Sequence, residues 1–149
     1  MKIFVGGGLL IEYENQTKTE LLEALLMSQH QIFLNPIVVS EYIYQLLGIL
    51  GGRSPMSIRE SKKIAETLDL HDTAEFLSAF SILPIPDGSL FLAIELMKKH
   101  NLLPNDALIL ASCKSQSVAV LASYDSDFTN ACREEGIVLL NNVADIPMT

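Results

Sequence analysis

The stretch Leu103–Phe128, LPNDALILASCKSQSVAVLASYDSDF, decides how this chain reads. Pro104-Asn105-Asp106 is a helix-start signal, with proline at the first helical position and an acid in the first turn. The residues behind it predict an amphipathic helix reaching Gln116. A short apolar strand follows, Val118 to Ala122, and it stops at Ser123-Tyr124-Asp125-Ser126-Asp127. Helix followed by strand implies a parallel sheet, because parallel neighbours need a helical crossover. Asp106 then opens the helix, while Asp125 and Asp127 lie just past the carboxyl end of the strand. Ligands of open α/β sheets bind in that crevice. Carboxylates gathered there repel one another unless protons or a cation lie between them, so the pattern predicts a site for a hard metal ion.

Working outward, Met1 to Val5 reads as a first strand, broken by Gly6-Gly7-Gly8, with a helix starting over Leu9–Tyr13. Leu21, Leu22, Leu25 and Leu26 fall at helical spacing within Thr17–His30. Gln31–Leu34 is a second strand. Asn35-Pro36 caps the next helix, Ile37–Leu50, which carries Glu41 in its second turn. Further helices are expected over Ile58–Leu70, Ala74–Phe80, Ser89–His100 and Thr129–Glu135, with strands at Ser81–Pro84 and Val138–Leu140. No repeat, linker or low-complexity tract interrupts the chain, and residues 1–149 read as one domain.

With 49% hydrophobic and 19% charged residues, the 149-residue chain belongs among compact folds rather than disordered ones. Cys113 and Cys132 lack the spacing of a disulfide framework or metal knuckle and read as buried thiols. No apolar run approaches the roughly 20 residues of a membrane helix, and no leader pattern opens the sequence, so a cytoplasmic location and no membrane partner are expected. The net charge of −8 is unusual for a protein that handles nucleic acid. Arg53, Arg59, Lys62 and Lys63 are the densest basic cluster and a weak candidate for RNA contact; a solvated helix face paired to Glu60 and Glu66 explains them as well. His30, His71 and His100 each fall near a helix C-terminus, where the dipole favours a cation, and none has ligand spacing to another.

The segments Pro104–Ala111 and Ser123–Phe128 together resemble the C-terminal half of a PIN domain. That family's fold is a three-layer α/β/α sandwich around a parallel sheet, and its usual activity is metal-dependent RNA cleavage. Many small members are VapC-like toxins of toxin–antitoxin pairs. In register with the family pattern stand Ser40-Glu41, Asn105-Asp106-Ala107 and Ser123-Tyr124-Asp125. The resemblance implies that Glu41, Asp106 and Asp125 hold Mg²⁺ or Mn²⁺. It further implies that Asp127 assists catalysis or holds a second ion, and that Ser123 orients the shell. RNA as substrate, a small antitoxin protein as partner and a homodimer follow from the same likeness. Leu46, Leu47, Ile49 and Leu50 make the end of the third helix apolar on more than one face, which also predicts a dimer through that helix and the next.

One family position is empty of its acid. The first strand of a PIN domain ends in Asp, and here Gly6 stands there, followed by Gly7 and Gly8. Glu12 and Glu14 lie one to two turns further on, too far along the helix to substitute. The resemblance therefore implies a ribonuclease weakened or silenced at Gly6, or a PIN fold that binds RNA or a partner without cutting. A third reading, a glycine-rich phosphate cradle, lacks the GxGxxG or GxxxxGK[ST] pattern that such a loop needs.

Overall fold

The computed structural model describes residues 1–148. In chain order its elements are β1 (Lys2–Val5), α1 (Gly7–Glu14), α2 (Glu20–Met27), β2 (Gln31–Leu34), α3 (Pro36–Gly51), α4 (Pro55–Glu60), α5 (Ile64–Leu68) and α6 (Thr73–Leu77). There follow β3 (Ser81–Ile82), α7 (Ser89–His100), α8 (Pro104–Ser115), β4 (Val120–Ala122), α9 (Phe128–Glu135), β5 (Val138–Leu140) and a 3₁₀ turn, Val143–Asp145. The strands form one parallel sheet in the order β3-β2-β1-β4-β5. Ile3 aligns with Ile32 on one side and Val120 on the other.

Successive connections run outward from β1 in both directions. Right-handed crossovers therefore place α1–α6 on one face and α7–α9 on the other, giving the three-layer sandwich. Both faces of the sheet are covered, which is why its strands are continuous apolar runs rather than alternating ones. Ile3, Phe4, Val5, Leu34, Leu121 and Ala122 are fully buried, and Leu9, Leu22, Tyr42 and Leu110 pack into the same core.

The expected helix over Ile58–Leu70 is two short helices. Lys62 takes the left-handed conformation (φ 60°), and Lys63 N–H reaches back to Ile58 O at 3.0 Å, a closure that ends a helix even without glycine. Ser117 (φ 55°) ends α8 the same way, with Val118 N–H on Cys113 O at 2.8 Å, so β4 begins at Val120 and not at Val118. Helix α2 is shorter than Thr17–His30, and β3 keeps two residues of the expected four. Helix α8 is not amphipathic as expected. Ala107 and every residue from Ile109 to Cys113 are buried, because α8 packs against α7 and also meets α3.

The strand order reverses at β1 and β4, and Gly6 N–H donates to Ala122 O at 2.9 Å just where both strands end. Such a switch point opens a crevice at the carboxyl edge. Two helices begin beside it. Asn35 caps α3 by accepting from Val38 N–H at 2.9 Å, and its Nδ2 donates to Ser112 Oγ on α8 at 3.0 Å. Both side chains are buried, so this bond fixes the start of α3 against α8 across the crevice.

Candidate functional site

The loop leaving β4 is built from two short side-chain turns. Asp125 N–H donates to Ser123 Oγ at 3.0 Å, and Asp127 N–H donates to Asp125 Oδ1 at 2.9 Å. Serine and aspartate favour such turns because their oxygens reach a backbone amide two residues on. The result holds Asp125 and Asp127 over the end of the sheet, opposite Asp106 in the first turn of α8. One carboxylate oxygen from each of the three lies within 4.8 Å of the other two. Asp125 and Asp127 are exposed, and Asp106 is half-buried.

Asp106 feels this crowding. Burial, and then the charges of Asp125, Glu41 and Asp127, push its pKa up to about 6. A cation would reverse that balance, and three hard oxygen donors are the set that Mg²⁺ or Mn²⁺ prefers. The residues present fit such an ion.

Glu41 is close enough to raise the pKa of Asp106 but is not one of the clustered three. Its Oε1 accepts from Asn105 Nδ2, and its Oε2 lies 3.8 Å from where a side chain on Gly7 would begin. The sequence marks Asn105 as a helix start and as part of the Asn105-Asp106-Ala107 segment, but its contact with Glu41 crosses from α8 to α3 and has no local signal. Ser123 is buried and fixes Asp125 through its backbone. Gly6 sits at φ −76° and ψ 157°, ordinary extended backbone open to any residue. A Cβ there would meet Ser123 Oγ at 3.4 Å and Ala122 O at 3.5 Å, which is normal contact. Neither the backbone nor the packing requires glycine at this position.

The other candidates lie elsewhere. Arg53 lies past the far end of α3, where the chain folds back and its carbonyl O comes 3.6 Å from where a side chain on Gly48 would begin. Arg59, Lys62 and Lys63 follow it on and after α4, where Lys63 pairs with Glu66 at 3.3 Å. Glu14 is engaged by Tyr42 Oη at 2.6 Å and His71 Nε2 at 3.0 Å, and Glu12 by Thr17. His30 contacts the Met1 amine and Pro147 O, and His100 faces Glu134 and Glu135. Cys113 and Cys132 are buried free thiols with pKa values pushed up by burial to about 12 and about 11. A polar cavity of about 390 Å³ adjoins the acids, lined by Asn101, Ser126 and Asn130 together with Asp106 and Asp127.

The family model described as PIN domain matches residues 9–134. The chain belongs to the PIN domain family. Among curated PIN relatives, "Ribonuclease VapC2" of Methanocaldococcus jannaschii is 34% identical over 130 residues, spanning 85% of this chain and 87% of that protein. Among solved structures, FitAcB from Neisseria gonorrhoeae superposes with a TM-score of 0.67 at 20% identity, covering 93% of this chain and 96% of that one. A toxin–antitoxin complex from Klebsiella pneumoniae gives a TM-score of 0.61 at 19% identity over 91% and 95%. At those identities the structures speak for the fold, and the fold they share is the PIN sandwich. Among the described residues no helix is long and apolar enough to cross a membrane.

Proposed function

We propose that this PIN-domain protein is a metal-dependent endoribonuclease, the toxin of a toxin–antitoxin pair, working from a site weakened at Gly6. The observation that carries the reading is the convergence of Asp106, Asp125 and Asp127 within 4.8 Å at the switch point of the sheet. Family membership and the name of the archaeal relative support ribonuclease chemistry. Asp106, Asp125 and Asp127 would hold Mg²⁺ or Mn²⁺, with Glu41 in reserve behind Asn105. Bound there, the ion would activate water and offset charge at the phosphorus. The chain's own part is positional. Ser123 and the Asp127 amide lock Asp125, and the Asn35–Ser112 bond keeps the α8 carboxylate in register with α3.

Single-stranded RNA is the expected substrate and a small antitoxin the expected partner, in a cytoplasmic setting. The second reading, an RNA- or partner-binding protein that no longer cuts, is favoured by Gly6 alone. Incubating the protein with single-stranded RNA in Mn²⁺ and in EDTA decides between them. Cleavage that needs Mn²⁺ and disappears in Asp106→Asn/Asp125→Asn supports the nuclease. Equal cleavage by the double variant overturns the site, and RNA binding without cleavage puts the second reading in its place.

A further inference from the structure

Beside the acids, on the α1–α2 face, a second groove opens that the metal chemistry does not use. Its cavity of about 390 Å³ is lined by Lys18, Glu20, Tyr124, Asn141 and Asn142, with Leu21 and Val143. That volume falls within the ~300–1,000 Å³ of small-molecule pockets. The place follows from the topology. Tyr124 lies between Ser123 and Asp125 at the end of β4, and Asn141 follows the end of β5, so ring and amide stand at the same edge as the acids. Lys18, on the α1–α2 connection, holds its ammonium 4.9 Å from the centre of the Tyr124 ring.

Resting on the ribonuclease reading above, we propose that this groove is the subsite for a nucleotide flanking the cleaved bond. The base stacks on the Tyr124 ring in place of the Lys18 ammonium that lies over it, and the displaced Lys18 meets the phosphate. Each component suits that ligand. An aromatic face stacks on any base, and a neighbouring cation pairs with the backbone. Asn142 Oδ1 accepts from Ala144 N–H at 3.0 Å, which leaves its amide nitrogen to donate to a base edge. The groove also carries an acid, since Glu20 lines it beside Lys18. Carboxylates accept from exocyclic amino groups, which adenine, cytosine and guanine carry and uracil, with only its N3–H, does not, so Glu20 favours the first three. A single lysine among acids gives little hold on bulk RNA, which matches a net charge of −8.

The test separates binding from cleavage. Anisotropy titrations with short single-stranded RNAs, in the Asp106→Asn background so that nothing is cut, give Kd; KM and kcat come from the unmodified chain. Tyr124→Ala is expected to raise Kd and KM about 5- to 150-fold, the equivalent of ~1–3 kcal/mol of stacking, with kcat little changed. Tyr124→Phe keeps the ring and is expected within twofold of the original, and Lys18→Gln raises Kd three- to tenfold. An oligouridine probe is expected to bind more weakly than oligoadenosine in the original chain and equally in Glu20→Gln. Thermal melts of each variant with and without Mn²⁺ check that fold and metal site are intact. A Kd within twofold of the original for both Tyr124→Ala and Lys18→Gln overturns the subsite and leaves the nuclease reading standing. A chain that binds no RNA at all overturns both.

Discussion

Ser123 Oγ lies 3.4 Å from the point where a side chain on Gly6 would begin. The serine that fixes Asp125 therefore also faces residue 6, where the resemblance in the sequence expects an acid, and a side chain grown there meets no backbone closer than Ala122 O at 3.5 Å. A carboxylate about 4 Å from a divalent ion interacts by roughly 8 kcal/mol at an effective dielectric near 20, most of it offset by desolvation. A net gain of about 2–4 kcal/mol corresponds to roughly 30- to 1000-fold in affinity. Gly6→Asp is expected to tighten Mn²⁺ binding by that factor in calorimetry and to speed RNA cleavage. Gly6→Asp/Gly7→Thr/Gly8→Asn builds the turn that the resemblance expects, and the Cβ atoms added at residues 7 and 8 meet nothing closer than Glu41 Oε2 at 3.8 Å. If the rebuilt turn neither binds metal more tightly nor cuts faster, the nuclease site is misassigned.

Asp106 gives the metal-free protein a distinctive pH response. Its folded pKa is raised to about 6, above its ordinary value of 3.8, so the folded state holds the proton more tightly than the unfolded one. Below pH 4 both states are protonated and nothing is lost. As pH rises from about 4 through 6, stability falls. Asp106→Asn is expected to stabilise the metal-free chain by about 1 kcal/mol at pH 7.5, after discounting for partial exposure, and to have no effect at pH 3.5. Thermal melts across that range measure it. A destabilised Asp106→Asn chain at pH 7.5 contradicts the electrostatic account.

Mn²⁺ is expected to reverse this penalty. At 100 times Kd, an ion bound only by the folded state adds about 2.7 kcal/mol. The shift in Tm should shrink at pH 5, where Asp106 holds a proton, and vanish in Asp106→Asn/Asp125→Asn. A shift that persists in the double variant locates the ion elsewhere.

Much of this arrangement is legible in the sequence, for reasons tied to particular residues. Phe4, Phe33 and Leu121 sit in runs apolar on both faces, as buried parallel strands require. Asp125 and Asp127 announce themselves because the turn that positions them is made of local side-chain bonds. What escaped depends on distant partners or on backbone angles that the residue type conceals. Lys62 and Ser117 end helices in a conformation expected of glycine or asparagine. Glu41 turns to Asn105, 64 positions away, so Asp127 completes the close group of three. Burial of α8 on nearly every side comes from α7 covering it, which no periodicity within α8 records.

The face away from the sheet has its own electrostatic clamp. Glu135 on α9 accepts from Lys114 Nζ at 2.6 Å, Lys99 Nζ at 2.8 Å and His100 Nε2 at 2.7 Å, tying α7, α8 and α9 together. Hydrogen bonds from Lys114, then Lys99 and His100, lower its pKa from 4.5 to about 2. A depressed carboxylate contributes stability above its unfolded pKa and loses it as pH falls, here between about 4.5 and 2. Glu135→Gln is expected to cost about 2 kcal/mol at pH 7, roughly 4–8 °C in Tm, and almost nothing near pH 2. Equal losses at both pH values would show that packing, not charge, is responsible.

Assembly is the last expectation that the structure sharpens. The sequence pointed to the end of α3 as a dimer surface because it is apolar on several sides. Leu46 is fully buried in the monomer and Leu47 and Leu50 are half-buried, since α4 and α5 pack against α3. Tyr44, Ile49, Met56 and Ile64 on the same three helices remain exposed. On the opposite layer, Leu90, Phe91 and Ile94 expose one apolar side of α7, with Phe91 75% exposed. Covering either surface removes large side chains from water at about 25 cal/mol per Å². A homodimer is expected at micromolar concentration, near twice the 16.4 kDa of one chain in light scattering. Tyr44→Glu/Met56→Glu and Leu90→Glu/Phe91→Glu place charges on the two surfaces separately. Dissociation by the first pair assigns the interface to α3–α5 as the sequence predicts, and dissociation by the second moves it to α7. A mass of one chain for the unmodified protein at 50 μM rules out the dimer.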